Sequence, residues 1–201
     1  MSLLNALPGA IAQGLIWGVM AIGLYITYKV LDFADLTVDG SICTGAAVCA
    51  IMVTNGVNVW LAMLCALLAG AICGLITGVF HTCMGIPAIL SGILTQLLLW
   101  SVNLKILGRA NLSISARTYS VVISQLNVGA AIGVAAAFVV VLIGILYWFF
   151  GTERGCSIRA TGNNPNMSRA QGINTSLNTV LGLMISNAVV ALAGALLAQY
   201  Q

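Results

Sequence analysis

Six long runs of this chain carry no Asp, Glu, Lys or Arg: Leu7–Tyr28, Gly40–Thr54, Val57–Phe80, Ile86–Leu104, Val128–Phe150 and Leu177–Tyr200. A helical crossing of a bilayer takes about 20 apolar residues, and all of these runs but Gly40–Thr54 are long enough. Of 201 residues, 61% are hydrophobic and 5% charged, against roughly a quarter charged in soluble domains. No soluble fold could hide that much apolar surface. The expected fold class is therefore all-α: one polytopic transmembrane helical bundle over residues 1–201, with about six membrane segments.

Gly40–Thr54 can cross only by drawing in the stretch before it, which holds Asp32, Asp35 and Asp39. Carboxylates cost roughly 2.5–3.5 kcal/mol each at the centre of a membrane helix. A broken or partly re-entrant segment, shielded by its neighbours, reconciles the two. Were this stretch helical, spacings of three and four would put the three acids on one face. A cation site or proton relay is one use for them; capping or gating at a helix break, with Asp35 or Thr37 satisfying backbone amides, is the other and the better supported.

Gly70, Gly74 and Gly78 recur at every fourth position, leaving one stripe of their helix bare so that a neighbour can approach closely. Gly14 with Gly18, and Gly129 with Gly133, repeat the spacing and are further candidate contacts. The first 28 residues lack the basic start and small-residue cleavage site of a secretory signal, so they are read as a retained span. The six cysteines form no C-x-x-C pair and are read as small packing residues.

Two polar segments separate the spans. Lys105–Asn127 contains Arg109 and Arg117, and its alternation at Thr118–Val122 suits a short extended excursion over the membrane surface. Gly151–Thr175 carries Glu153, Arg154, Arg159 and Arg169, an arginine excess that favours the cytoplasmic side. Five crossings before it would place the amino terminus outside and Lys29 and His81 inside, and a re-entrant second segment would reverse the amino-terminal half. In that second segment Asn164-Pro165 is a helix start, a capping side chain followed by proline at the first helical position, and Gly172 a stop. A helix from Pro165 to Gln171 is too short to persist alone in water. It needs a surface to lie on, and Met167 and Ala170 share one side of it.

The pattern Thr152, Gly155, Arg159, Ala160, Gly162, Asn164, Pro165, Arg169, Gly172, Ile173, Asn174 resembles the cytoplasmic loop of bacterial ABC importer permeases of the branched-chain amino acid and ribose type. The stretch Gly14 to Gly45, with Leu31-Asp32-Phe33 and Asp35 through Ser41, is similar to the subgroup of small permeases assigned to tryptophan or tyrosine uptake. The resemblance implies a multi-pass protein of the bacterial plasma (inner) membrane. It also implies a cytoplasmic coupling helix within residues 151–175, where Arg159, Gly162, Asn164, Pro165, Met167, Arg169 and Gly172 form the docking element for a separate ATPase. The further partners implied are a solute-binding protein and a second permease copy. Members of that family continue for several more spans, so the chain is expected to be an amino-terminal fragment. ATP would be bound and hydrolysed on the partner, and this chain carries no G-x-x-x-x-G-K-[ST] phosphate loop.

Polar residues in mid-span each need a partner or a water-filled cavity. Gln96, beside Thr95, and Asn187, beside Ser186, sit near the middles of their runs. With Asp35 and Asp39 they form the candidate substrate pathway, and helix-to-helix hydrogen bonding is the alternative use of the two amides. A net charge of +3, scattered along the chain, makes no nucleic-acid surface. His81 has no ligand-type residue at metal spacing, so no metal is expected, and no nucleophile with a base suggests an enzyme. The rival to an importer subunit is an ATP-independent secondary transporter or channel, whose flux would depend on an ion and on Asp32, Asp35 or Asp39.

Overall fold

A computed structural model describes residues 2–108, 122–123 and 128–200. The expected surface excursion at Thr118–Val122 lies, apart from Val122, outside them, as do Arg109 and Arg117. The described residues are helical throughout apart from turns and short connections. Helices α1 (Ser2–Tyr25), α3 (Val59–Thr82), α4 (Ala88–Leu107), α5 (Val128–Gly151) and α8 (Thr175–Tyr200) are each long and apolar enough to cross a membrane. Between the spans lie α2 (Val38–Thr54), α6 (Glu153–Asn163) and α7 (Pro165–Ala170).

The second segment is broken at the acidic stretch. Past Tyr25 the first helix loosens into a π-helical turn, Ile26–Val30, and residues 31–36 are not helical. The three acids therefore do not line one helical face. Asp32 takes a left-handed backbone, φ +53°, and Asp35 uses its Oδ1 to accept the Thr37 amide at 2.8 Å. At ~1.5 Å per residue the 17 residues of α2 reach roughly 25 Å, short of the ~30 Å hydrocarbon core. The non-helical residues 31–36 lead into it.

Helix α8 is the centre of the bundle. Ser186 through Leu196 are all buried. It runs antiparallel to α3: a Cβ added at Gly70, Gly74 or Gly78 would meet, in turn, Asn187, Leu183 and Val180. On another side Gly45 of α2 lies on Ala191, and Gly194 of α8 lies on Ile42. Gly23 of α1 fits against Val190 and Ser186, whose hydroxyl donates to the Gly23 carbonyl at 2.7 Å. Lipid tails are as apolar as the side chains, so no hydrophobic effect drives membrane helices together, and close backbone approach through small residues is what dispersion and hydrogen bonding require. The other glycine pairs differ. At Gly14, Gly18, Gly129 and Gly133 no atom of the described residues stands within 4 Å of an added Cβ, so among those residues they make no close contact.

Leu31 packs on Gly182, Gly162 of α6 on Val30, and Phe33 meets the His81 ring edge-on at 5.0 Å. The helix break, the end of α3 and the segment 151–175 therefore share one end of the bundle. Gly9 and Tyr200 meet at the opposite end, the tyrosine hydroxyl donating to the Gly9 carbonyl at 3.1 Å.

Candidate functional site

Three arrangements carry the polar chemistry. The first is the α6–α7 segment, built from capped helices. The Thr152 side chain accepts from the Gly155 amide at the start of α6, Asn164 Oδ1 accepts the Met167 amide at 3.0 Å to start α7, and Asn174 Oδ1 accepts the Leu177 amide at 3.1 Å to start α8. Pro165 occupies the first turn of α7, and Gly172 follows it at φ +79°. That conformation favours glycine, because other residues meet their own backbone there. Gly155 turns tightly on Phe149 and Phe150.

Two of the three arginines of this segment, Arg159 and Arg169, are exposed yet bond to their own chain. Arg159 donates from Nη2 to the Phe150 carbonyl at 2.7 Å, closing the carboxyl end of α5. Arg169 donates from Nε to Thr175 Oγ1 at 2.9 Å, tying α7 to α8. Asn178 of α8 adds donations to Ser157 Oγ at 2.6 Å and Thr161 Oγ1 at 3.0 Å on α6. All of α7 but Ser168 is exposed, and its large apolar side chain, Met167, is 59% exposed. Helix α6 itself was not expected. Its signal, a capping threonine followed by Glu153, is present but weaker than Asn-Pro.

The second arrangement is a buried network at the core of the bundle. Asp35 Oδ2 accepts from Asn187 Nδ2 at 2.8 Å, and Asn187 Oδ1 in turn accepts from the Ser41 hydroxyl. The hydroxyls of Thr37, Thr77 and Thr95 follow one another at 2.8 and 3.0 Å, joining α2, α3 and α4. All six residues are buried. Asp35 and Asn187 are thus partners of each other, a pairing that sequence reasoning did not find.

The third is a cavity of about 300 Å³ between α2 and α4, lined by Asp39, Cys43, Gln96, Trp100 and Asn103 among others. Asp39 and Gln96 both line this cavity, apart from the Asp35–Asn187 network. Asn103, absent from the sequence reading, is 7% exposed and its Oδ1 has no hydrogen-bond partner among the described residues. Among the described residues no group of three or more potential metal ligands gathers, and His81 Nδ1 pairs with the Ile86 carbonyl at 2.8 Å.

The described residues thus form a multi-pass helical bundle with a capped helix pair at one end and polar side chains buried at mid-span. Residues 7–201 match the family described as branched-chain amino acid transport system / permease component, and the chain belongs to it. It is 39% identical to the tyrosine transport system permease protein of Clostridioides difficile, over 98% of this chain and 65% of that protein. It is 35% identical to an uncharacterised protein of Rickettsia prowazekii, over 98% and 69% of the two chains. A fructose import permease protein of Bifidobacterium longum is 28% identical over 80% of this chain and 46% of its own length. The chain thus spans less than two thirds of the length of the first of these relatives. No solved structure gives a significant match.

Proposed function

We propose that this chain is part of the membrane-spanning subunit of an ATP-driven importer for a small solute, an amino acid such as tryptophan or tyrosine, with ATP hydrolysed on a separate subunit that grips α7 from the cytoplasm. The observation that carries this reading is the α7 helix: six residues, capped at its start, tied by Arg169 to Thr175 at the foot of α8, and exposing Met167. So short a helix does not persist without support, and support from one side leaves the other for a partner.

The path for force is short. Motion of α6 and α7 reaches α8 through Arg169–Thr175 and Asn178–Thr161, and reaches the helix break through Gly162 against Val30. Helix α8 carries Asn187, and Asn187 holds Asp35. Closure of two ATPases would therefore tilt α8 and reset the break together, switching access from one face of the membrane to the other. In this reading Gly162, Asn164, Pro165, Arg159, Arg169 and Gly172 set the shape of the docking element, Met167 is its contact, and Asp35, Asp39, Gln96 and Asn187 lie along the solute path. A solute-binding protein outside and a second permease copy complete the assembly.

The test is co-purification with the ATPase. Met167→Glu puts a charge on the contact without touching an internal bond, and complex recovery is expected to fall on the order of tenfold, about 1.4 kcal/mol or more. Arg169→Glu should lose both complex and thermal stability. Full recovery of the complex and unchanged solute-stimulated hydrolysis in Met167→Glu would remove α7 as the docking element. Solute uptake that persists without ATP would instead favour an ion-coupled transporter.

A further inference from the structure

We propose that the groove between α1 and α5 binds an anionic phospholipid, its phosphate held by the Arg159 guanidinium and one acyl chain laid along the two helices. The ligand belongs to the bilayer and not to the solute pathway, so the importer reading is not needed for it.

The groove has a volume of about 780 Å³. Ala21, Ile22 and Ile26 line it on one side, Ile143, Leu146 and Phe150 on the other, and among the described residues its one charged lining side chain is Arg159. That charge stands at one end. Arg159 donates from Nη2 to the Phe150 carbonyl at the carboxyl end of α5, whereas Ile143 lies about two turns deeper along the same helix. From Ile143 to Gly151 the α5 wall spans about 12 Å at ~1.5 Å per residue. One leaflet is half of a hydrocarbon core of ~30 Å. The molecule that fits has an anionic head and a tail of nearly leaflet length.

The guanidinium has donors to spare. Arginine carries five N–H bonds, and the bonds it makes here, to the Phe150 carbonyl and Cys156 Sγ, both use Nη2. Nε and Nη1 of this exposed side chain are left to meet two phosphate oxygens as a planar fork. No carboxylate lines the groove among the described residues. A zwitterionic amino acid would find a partner there for its carboxylate and none for its ammonium, and a phosphatidylcholine would set its choline cation beside the arginine. The π-helical turn and α6 together hold Lys29, Arg154 and Arg159 against Glu153, three cations to one anion. Tyr25, Tyr28, Tyr147 and Trp148, at the same end, are 61%, 71%, 84% and 72% exposed. Such amphipathic rings gather at the level of lipid headgroups, and basic recesses between membrane helices take anionic ones. Val30 lines the groove and carries Gly162 of α6 on its carbonyl, so the lipid would brace the helix break against the α5–α6 corner.

The full chain, delipidated in detergent, is titrated with dioleoyl phosphatidylglycerol or dioleoyl phosphatidylcholine, and the first bound lipid is followed by native mass spectrometry. The phosphatidylglycerol should bind about tenfold more tightly, the order of effect of one cation and its charge-assisted bond at a headgroup. Arg159→Gln should bring the two lipids level. Because Arg159 also closes α5, a second variant leaves it in place: Ala21, exposed on α1, becomes Trp and fills the apolar end of the groove. Ala21→Trp should weaken both lipids about tenfold. Glycerol 3-phosphate, the head without the chains, should not displace the lipid at millimolar concentration. Equal affinity of the two lipids in the unaltered chain, a preference that survives Arg159→Gln, undiminished binding in Ala21→Trp, or displacement by glycerol 3-phosphate each overturn the proposal. So does a dimer in the same spectra that holds no lipid and separates in Ala21→Trp, which would give the groove to a second copy of the chain.

Discussion

Asn187, in the middle of α8, donates to the Asp35 carboxylate at 2.8 Å, and both side chains are buried. This bond joins the central helix to the helix break. Removing the donor leaves a buried carboxylate short of one partner, and that costs more than an exposed hydrogen bond returns. Asn187→Leu should therefore destabilise the folded chain by ~3 kcal/mol, read as denaturant unfolding in detergent. Asn187→Asp, which sets two carboxyls together, should be at least as damaging, and unaltered unfolding of both variants would show that the bond contributes nothing.

Gly74 and Gly133 look alike in sequence and should behave in opposite ways. At Gly74 a methyl group collides with the backbone of Leu183, whereas at Gly133 it meets open space. Gly74→Ala should force α3 from α8 at a cost of roughly 1–3 kcal/mol. Gly133→Ala should be neutral or gain up to about 1 kcal/mol from helix propensity. The pair is best compared in one unfolding series.

Asp32 stands at φ +53°, where glycine is at ease and β-branched residues are not. Asp32→Gly is expected to fold with little change in thermal midpoint. Asp32→Val should lose about 1–2 kcal/mol through backbone strain alone.

Single cysteines at Met167 and Gly56 test the sidedness. Gly56 lies in the turn between α2 and α3, at the end of the bundle opposite α7. In intact cells an impermeant maleimide should reach Gly56→Cys and leave Met167→Cys unlabelled, and inverted vesicles should reverse the result. Labelling of both from outside would sink the cytoplasmic placement of α7.

What was legible in the sequence was local. Runs of uncharged residues located the spans, and Asn164-Pro165 announced a capped helix because both residues act on their own backbone. Gly70, Gly74 and Gly78 were legible as a bare stripe. That the stripe meets α8, while Gly14 and Gly18 meet nothing among the described residues, depends on distant segments. Gly45 and Gly194 have no glycine four residues away and so gave no signal, although each lies against a facing backbone. The arginines show the same limit. Their number pointed to a side of the membrane, but not to Arg159 closing α5 or Arg169 bonding Thr175. Asp35 could be read as costly in a membrane, yet its partner lies at the far end of the chain.

The central helix also restricts how such a sequence can evolve in length. From Gly182 to Gly194 it meets α1, α2, α3 and the helix break on different sides of one cylinder. One residue inserted there would rotate everything downstream by about 100°, carrying Gly194 off Ile42 and Gln199 off Cys49 in a single step. Substitutions in α8 can be absorbed one at a time. Insertions and deletions cannot, and they should be confined to the turns, such as Asn55–Asn58, where a change of register disturbs no facing surface.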